Sequence, residues 1–598
     1  MSGIAAFCSS SQVSREMLES SVNALRYGND EQVSTWYSED RRVAFAQIGI
    51  PEVAGVALRS EDGNLHLVSA GHLYGTDAIK EKLRQHGRKF LTEDPAEIIL
   101  HLYDEYGPSC LKHIDGEFSF ILWDERNRLC FAARDRFGTG SLVYSKYKDT
   151  LYVGSRAKVL FAAGVPAIWD QDALFQFFHI FPDQEKTLFK GVFNIPAGHY
   201  LVATEDRVTV RQYWDSDYAE TSLATDAELI EEFQRKFDLA VRKRTASKSR
   251  IAYFLSGGID STAIITLAVR AVHTPLDAFT ITFSDENDDN PYNEYSLAKE
   301  TAAIVGANLT PISIARSDIA DNFGEAVTCY EQITIDSDIG AALKATDTVK
   351  KLGFRSVMMG EGSDAVTPMI SDVGTVSKPE HPILGLYHRT FGFTPRVLAD
   401  RLAIGQQLAP FFSDELILGK LDKKNPALIF LSRLATSHNM HQWPEPFQCV
   451  YLRRKTAQTL FGLSVLNIFR ILPRVPFLDF ELFDFLRGVP ASLAVGKKIL
   501  RDSMKPFVRD EVRERPHWPF SAPPRFLDQK DPFHALTNDM IRGSSLKSVP
   551  FLNHQAIVRQ LDRIESNKAE AKLSDQLEAG LNIILSLCFL QEKLRLTT

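Results

Sequence analysis

Phe254-Leu255-Ser256-Gly257-Gly258-Ile259-Asp260-Ser261 decides how this chain of 598 residues is read. Ahead of it, Arg250-Ile251-Ala252-Tyr253-Phe254-Leu255 is mostly apolar and reads as a buried strand. Behind it, Thr262-Ala263-Ile264-Ile265-Thr266-Leu267-Ala268 reads as a helix. A strand, a Ser-Gly-Gly turn and a helix start make a phosphate site. Glycine lets the backbone come close to a ligand, and the free N–H groups of the first helical turn face an anion. Asp260 adds a carboxylate where a magnesium ion bridging phosphates would want one. The lysine-bearing loop Gly-x4-Gly-Lys-[Ser/Thr] is a different device and is not found in the chain. A Gly-rich turn of an ordinary α/β domain is the bland alternative; the full hexapeptide between strand and helix argues against it.

The length calls for at least two domains. A composition of 44% hydrophobic and 24% charged residues is that of an ordinary globular protein. A net charge of -8 with pI near 6.1 gives no reason to expect a nucleic-acid partner. The densest basic cluster, Arg453-Arg454-Lys455, reads as a solvated or substrate-facing patch. Six cysteines are widely separated with no Cys-x-x-Cys pair, so neither a zinc site nor a disulfide framework is suggested. That fits a reducing cytosol. Met1 to Phe7 lacks the basic and apolar regions of a signal peptide, and Leu581 to Leu590 is too short to span a bilayer and reads as a buried helix. A cytoplasmic protein without a membrane partner is expected.

The first third is β-rich. Val43–Ile48 and Leu65–Val68 are strand-like, Glu97 to Tyr106 has helical spacing, and Phe118–Trp123 with Leu129–Arg134 form an apolar hairpin. A second hairpin joins Leu142–Tyr144 to Leu151–Val153, and strands follow near Gly198–Val202 and Val208–Trp214. The polar segment Asp215 to Asp226 reads as the linker. From Glu228 onward helices alternate with short apolar strands (Phe279–Phe283, helix Tyr295–Val305, Ser356–Met359), which argues a parallel sheet with helices on both faces. Beyond about residue 380 the pattern is mainly helical.

The loop Ser256–Ser261 looks like the pyrophosphate loop of enzymes that cleave ATP to AMP and pyrophosphate. Further stretches stand in order along the chain: Asp115-Gly116-Glu117-Phe118-Ser119-Phe120, Ala133-Arg134-Asp135-Arg136-Phe137-Gly138, Gly360-Glu361-Gly362-Ser363-Asp364, Arg474-Val475-Pro476-Phe477-Leu478-Asp479 and Lys497-Lys498-Ile499-Leu500-Arg501. Together these resemble asparagine synthetase of the glutamine-dependent type over nearly the whole chain. The resemblance implies a glutamine amidotransferase-like domain over residues 1–215, with the αββα sandwich of N-terminal-nucleophile hydrolases. It implies an ATP-pyrophosphatase synthetase domain over residues 226–598, with ATP and Mg2+ as cofactors. Asp260 and Asp364 match the metal carboxylates. Lys497 matches the lysine that stabilises pyrophosphate and intermediate, with Lys498 the alternative if the register slips by one. Glu361 matches a glutamate placed to deprotonate the attacking amine. Ser256, Gly257, Gly258 and Ser261 match the phosphate loop, and Leu255, Ile281 and Gly360 match positions lining the adenine pocket.

The chain departs from the family in both halves. The family's Met-Cys-Gly-Ile-Ala start reads Met1-Ser2-Gly3-Ile4-Ala5, so the nucleophilic cysteine is replaced. The glutamine-binding Asn-Gly-Glu-Ile-Tyr-Asn reads Ala70-Gly71-His72-Leu73-Tyr74-Gly75. The arginine that grips the substrate carboxylate aligns with Gln47, and the aspartate for its amine falls at or beside Asp94-Pro95. An inactive glutaminase domain is expected, with His72 a surface or packing residue and Cys8 a core residue. In the synthetase half, Ala365-Val366-Thr367-Pro368-Met369-Ile370 replaces the family's Glu-Val-Phe-Gly-Gly-Tyr, and its aspartate-binding Thr-Ile-Arg falls at Ile335-Asp336-Ser337. Asp336 and Asp338 there would favour a cationic amine, or else cap a helix starting at Ile339.

Relatives with dead glutaminase domains include lasso-peptide cyclases and β-lactam synthetases, which adenylate a carboxylate and close an amide with an amine of the same molecule. The resemblance implies an amide ligase with a carboxylate substrate, a peptide forming a macrolactam being the first expectation and a precursor-peptide-processing protease a partner. An asparagine synthetase using ammonia or glutamine, a β-lactam-synthetase-like cyclase and a non-catalytic scaffold are the rivals.

Overall fold

The computed structural model describes residues 3–26, 31–49, 57–178, 184–216, 221–247, 249–284, 294–367, 471–515, 529–566 and 574–597. Ser2, Cys449, Pro368–Ile370, the patch Arg453-Arg454-Lys455 and the expected helical stretch from 380 to 470 lie outside the described residues.

The first part holds two six-stranded antiparallel sheets. One runs β10 (Phe193–Asn194), β8 (Val143–Tyr147), β9 (Thr150–Gly154), β1 (Gly3–Ser9), β3 (Val43–Gly49), β2 (Gln32–Tyr37). The other runs β12 (Val208–Gln212), β11 (His199–Ala203), β7 (Leu129–Arg134), β6 (Asp115–Asp124), β5 (Leu65–Tyr74), β4 (Leu58–Arg59). Successive side chains point to opposite faces, so each strand feeds two cores. Ile4 and Ala6 join Phe45, Val68, Ile121 and Ala132 between the sheets. Ala5 and Phe7 face Leu18, Val22 and Leu25 of helix α1 (Arg15–Leu25) and Leu160 of α4 (Ala157–Ala162). On the far face of the second sheet, Leu67, Phe118, Phe120 and Leu122 cover Leu83 of α2 (Thr76–Gln85) and Ile98, Ile99 and Leu102 of α3 (Glu97–Tyr106). Burial on both faces explains why these strands read as apolar runs, and the outcome is a helix–sheet–sheet–helix sandwich. A further helix, α5 (Gln171–Phe178), precedes the last three strands of this part.

Helix α6 (Asp226–Thr245) opens the second part. Thr225 and Glu228 form a capping box, acids sit in its first turn and Arg242, Lys243 and Arg244 in its last, which suits the helix dipole. Leu229, Phe233, Phe237, Ala240, Val241 and Arg244 make its buried stripe. The sheet that follows is wholly parallel, in the order β15 (Asn308–Ile314), β14 (Asp277–Phe283), β13 (Ile251–Phe254), β16 (Ser356–Met358), β17 (Leu472–Arg474). Helices α7 (Ile259–Val272), α8 (Tyr295–Val305), α9 (Arg316–Tyr330) and α10 (Asp338–Lys351) make the connections, and short α11 (Ser363–Val366) follows β16. From β13 the chain builds outward through β14 and β15, then returns to the other side of β13 with β16. The carboxyl end of β13 is therefore the topological switch point, where sheets of this kind bind ligands, with the loops after β13 and β16 side by side there. Strands β15 and β17 are additions to the sequence reading. Both are edge strands, and each carries a proline (Pro311, Pro473) that an edge tolerates and a central strand does not.

The halves are fused by one apolar cluster running from Ala5 to Leu596 and by polar contacts. The Glu331 carboxylate accepts from the backbone N–H of Ala157 (2.7 Å) and Lys158 (3.0 Å), capping α4 across the seam. Trp169 donates its indole N–H to Gln591 Oε1 at 2.7 Å, and its backbone N–H to the Thr597 carbonyl at 2.9 Å. Among the described residues no helix is long and apolar enough to cross a membrane. Helix Ser574–Leu594 is buried over Leu581–Leu590, apart from half-buried Phe589.

Candidate active site

Gly257 sits at φ +80°, and a Cβ there would lie 2.7 Å from Leu297 Cβ on α8, so glycine is required on both conformational and steric grounds. Gly258 caps α7 in an extended conformation. Inside the loop the Ser256 and Ser261 hydroxyls are 3.0 Å apart, and Ser261 Oγ accepts from the Ser256 N–H at 3.1 Å. The first turn of α7 is thereby presented at the carboxyl end of β13. Leu255 is buried and its N–H donates to the Phe279 carbonyl at 2.8 Å, while Ile281 is half-buried on adjacent β14.

Four sequence-expected residues converge beside that turn. Lys497 is fully buried, and its ammonium lies 2.5 Å from Asp260 Oδ2 and 2.9 Å from Asp364 Oδ1. Lys498 instead points outward to Asp502, half exposed, so the register falls on Lys497. Lys497 takes a left-handed conformation (φ 58°) directly after Gly496 at φ 68°. Two left-handed residues in succession turn the chain sharply between short helical segments, and the non-glycine one stores strain that the buried ion pairs hold in place. Ser363 Oγ donates to the second oxygen of Asp260 at 2.6 Å. A Cβ on Gly360 would come within 3.1 Å of the Asp260 Cβ, so the loop after β16 packs directly on the loop after β13.

Glu361 stands at the mouth. Crowding by protein and then the neighbouring Asp364 carboxylate lift its carboxyl to about 7, with Asp260 adding to the effect and Lys497 opposing it. Its side chain is open to solvent on one side, and water there moderates the burial contribution. Among the described residues no group of three or more His, Cys, Asp or Glu forms a self-contained metal cage. Asp260 and Asp364 do fit a magnesium ion that keeps most of its other ligands as phosphate oxygens and waters, since both carboxylates already converge on one buried cation.

The sequence reading missed Arg515. Its guanidinium donates to the Gly257 carbonyl at 2.8 Å and to Glu300 Oε2 at 3.0 Å. It lies 258 positions from Gly257, and no local pattern marks it.

Asp336 and Asp338 do not cap a helix at Ile339. Helix α10 starts one residue earlier, at Asp338, and Ser337 is its N-cap without a side-chain bond. Asp336 is exposed and Asp338 half-buried. Gly340, in the first turn of α10, packs on the Ile319 carbonyl of α9, and the Ile335 carbonyl just ahead accepts from Asn582 Nδ2 at 2.9 Å.

Among the described residues of the N-terminal half, a cavity of about 30 Å³ is lined by Gly3, Ala70, Glu117, Ser119, Ser155 and Arg156, with Leu472 and Pro473 of the second half closing it. As it stands it has space for one or two waters. Gln47 is buried and accepts from the Ser69 N–H at 3.4 Å; Asp94 accepts from the Ala96 N–H at 2.8 Å at the approach to α3. Cys8 is half-buried against the inter-sheet core. His72 departs from expectation: it is neither a surface nor a plain packing residue. Strand β5 continues to Tyr74, and His72 Nε2 meets Arg474 Nη2 of β17 at 3.2 Å. Burial, with Arg474 and Arg244 nearby, pushes the imidazole down to about 3, so it is a neutral acceptor. Beside it Arg244 pairs with Glu117 (2.9 Å) and Asp479 (2.8 Å), all three buried, and Tyr74 donates to Glu117.

Comparisons with known proteins agree with this division. A family model described as a glutamine amidotransferase domain matches residues 1–214, and one described as asparagine synthase matches 232–401 and 470–586. The chain is 24% identical to the protein named amidase chry2 of Gibberella zeae, over 92% of this chain and 91% of that one. It is 26% identical to amidase chyE of Penicillium rubens, over 84% and 83%. A glutamine-hydrolysing asparagine synthetase of Bacillus subtilis is 30% identical over 50% of this chain and 51% of its own.

Proposed function

The chain belongs to the asparagine synthetase family, a glutaminase-like domain joined to an ATP-dependent carbon–nitrogen ligase, and from that premise we propose that it adenylates a carboxylate and passes the acyl group to an amine of the same molecule. The observation that carries this reading is the buried Lys497 ammonium between Asp260 and Asp364, with Glu361 beside them.

In the first step a substrate carboxylate oxygen bonds to the α-phosphorus of ATP and the bond to pyrophosphate breaks. The N–H groups at the start of α7 and the Lys497 charge stabilise the departing polyanion. Asp260 and Asp364 would hold Mg2+, which when bound neutralises phosphate charge. In the second step the amine nitrogen bonds to the acyl carbon, AMP leaves, and the amine proton goes to Glu361. A tethered amine has a high effective concentration, so ring closure can outrun hydrolysis of the adenylate. The replacement of the family's glutamine-handling residues by Ser2, Gln47, Ala70 and His72 and the acidic pair Asp336 and Asp338 support a tethered amine over released ammonia. A peptide macrolactam is the product this reading favours, with a peptide-processing protease acting beforehand.

A second reading takes ammonia as the amine and makes a primary amide; similarity to proteins named asparagine synthetases favours it. A β-lactam closure is the same chemistry on a smaller ring. Candidate peptides and small carboxylic acids incubated with protein, MgATP and ammonium, then followed by mass spectrometry, separate these. Loss of one water supports cyclisation; exchange of a hydroxyl for an amino group supports amidation; ADP in place of AMP refutes adenylation altogether.

A further inference from the structure

We propose that Arg515 is a positioning residue for the ATP-dependent reaction: it presets the phosphate loop by holding the Gly257 carbonyl. The peptide bond between Gly257 and Gly258 is where that hold acts. Its trans plane points the Gly257 carbonyl and the Gly258 N–H in opposite directions, so whatever fixes one aims the other. A peptide between two glycines turns easily, because neither has a Cβ to restrict it. Arg515 removes that freedom from outside the loop, with one fork arm on the Gly257 carbonyl at 2.8 Å and the other on Glu300 at 3.0 Å. On the inner side the Gly258 N–H meets Ser256 Oγ at a long 3.3 Å, so a phosphate oxygen can take over as its acceptor at small cost without the peptide moving.

The clamp is itself clamped. Arg501 donates to the backbone carbonyl of Arg513 and, at 3.2 Å, to that of Arg515. Arg501 belongs to the helix Lys498–Ser503, which begins immediately after Lys497. Glu300 lies on α8, the helix whose Leu297 packs beneath Gly257. The Arg515 side chain is only 14% exposed while Glu300 is 48% exposed, so the bond to the Gly257 carbonyl is the sheltered one of the two. The phosphate loop, its lysine and the clamp thus form one continuous mechanical unit, and donors fixed before the polyanion arrives cost no reorganisation when it binds.

The test is calorimetric titration of the full chain with Mg-pyrophosphate, MgATP and adenosine. It rests on the loop being the phosphate site. Wild-type protein that binds neither pyrophosphate nor ATP would sink the site assignment and this inference with it. Given wild-type binding, Arg515→Met, which keeps the aliphatic stem, is expected to weaken pyrophosphate and ATP by about tenfold or more, the scale of a lost charge-assisted hydrogen bond. Adenosine affinity stays unchanged, and Arg515→Lys, which retains a donor, recovers part of the loss. Glu300→Gln, which keeps an acceptor, stays within about threefold of wild type. Pyrophosphate binding by Arg515→Met within twofold of wild type overturns the proposal. So does equal weakening of adenosine and pyrophosphate with a lowered melting temperature, the mark of a residue that merely holds the fold.

Discussion

Lys497 shows how one side chain can be both legible and surprising. The Lys-x-Ile-Leu-Arg pattern pointed to it, but nothing in the sequence said that it would be fully buried in a left-handed turn between two carboxylates. Lys497→Ala leaves Asp260 and Asp364 facing each other with no cation, and adenylation, read as pyrophosphate release, should fall by about a hundredfold or more. Lys497→Arg should fare little better, because the larger guanidinium has no free volume there. Glu361 makes a pH prediction. With its carboxyl near 7, the base form appears only as pH rises through that value, so amide formation should climb there and level off. Glu361→Gln should slow amide formation and flatten that climb while adenylation persists. The stability sign is opposite: the unfolded carboxyl ionises from 4.5, the folded one near 7, so ionisation costs the fold progressively across that window and fully above it. Glu361→Gln should therefore melt higher than wild type at pH 8. Asp260, Asp364, Glu361 and Lys497 were readable because each sits in a short pattern with local meaning. Arg515 and Ser363 were not readable in their roles, since those roles exist only once distant loops meet.

Among elements, helices α3 and α8 were read residue for residue, while the buried apolar strand β1 and the long helices α9 and α10 were not marked out. Two of the missed strands share a physical cause. Strands β15 and β17 are edge strands with a proline each, so they lack the apolar run that marks a buried strand. Strand β5 was read only to Val68 because Ser69-Ala70-Gly71-His72 is not apolar; it is held by ten paired positions against β6. Those extra residues carry His72 to the seam. Its neutral imidazole accepts from Arg474, and Arg474 in turn holds Ser356 Oγ at 3.1 Å and the Arg244 carbonyl at 2.6 Å. With a folded value near 3 and an ordinary value of 6.5, His72 stabilises the fold fully above pH 6.5, and that contribution drains away as pH falls toward 3. Melting temperatures measured from pH 8 to pH 5 should show a drop that His72→Gln, an acceptor that does not titrate, makes shallower. An identical slope in both proteins would mean that the seam does not feel this proton.

At the scale of the whole molecule, two domains were evident from length and from the switch in pattern near residue 226, but their fusion was not. The buried ions Arg244, Glu117 and Asp479 and the apolar cluster from Ala5 to Leu596 draw on residues from both halves, which no local window can reveal. Removing residues 1–215 should strip cover from that cluster and strand buried charges. Residues 226–598 expressed alone should be insoluble or melt without a cooperative transition, and a soluble, cooperatively melting fragment would show that the fusion is dispensable. A glutaminase-like half that covers this much apolar surface serves the fold whatever its own chemistry. The backbone pairing of Trp169 with Thr597 and the bond from Thr597 Oγ1 to the Ala167 carbonyl, 430 positions away, also set a timetable. A ribosome adds about 5–20 residues each second, so the Trp169 region emerges roughly 20–90 s before its partners exist. For that interval a finished sandwich carries an unfinished apolar edge, and the newborn chain depends on whatever shields it until the stretch around Thr597 has been made and closes the seam.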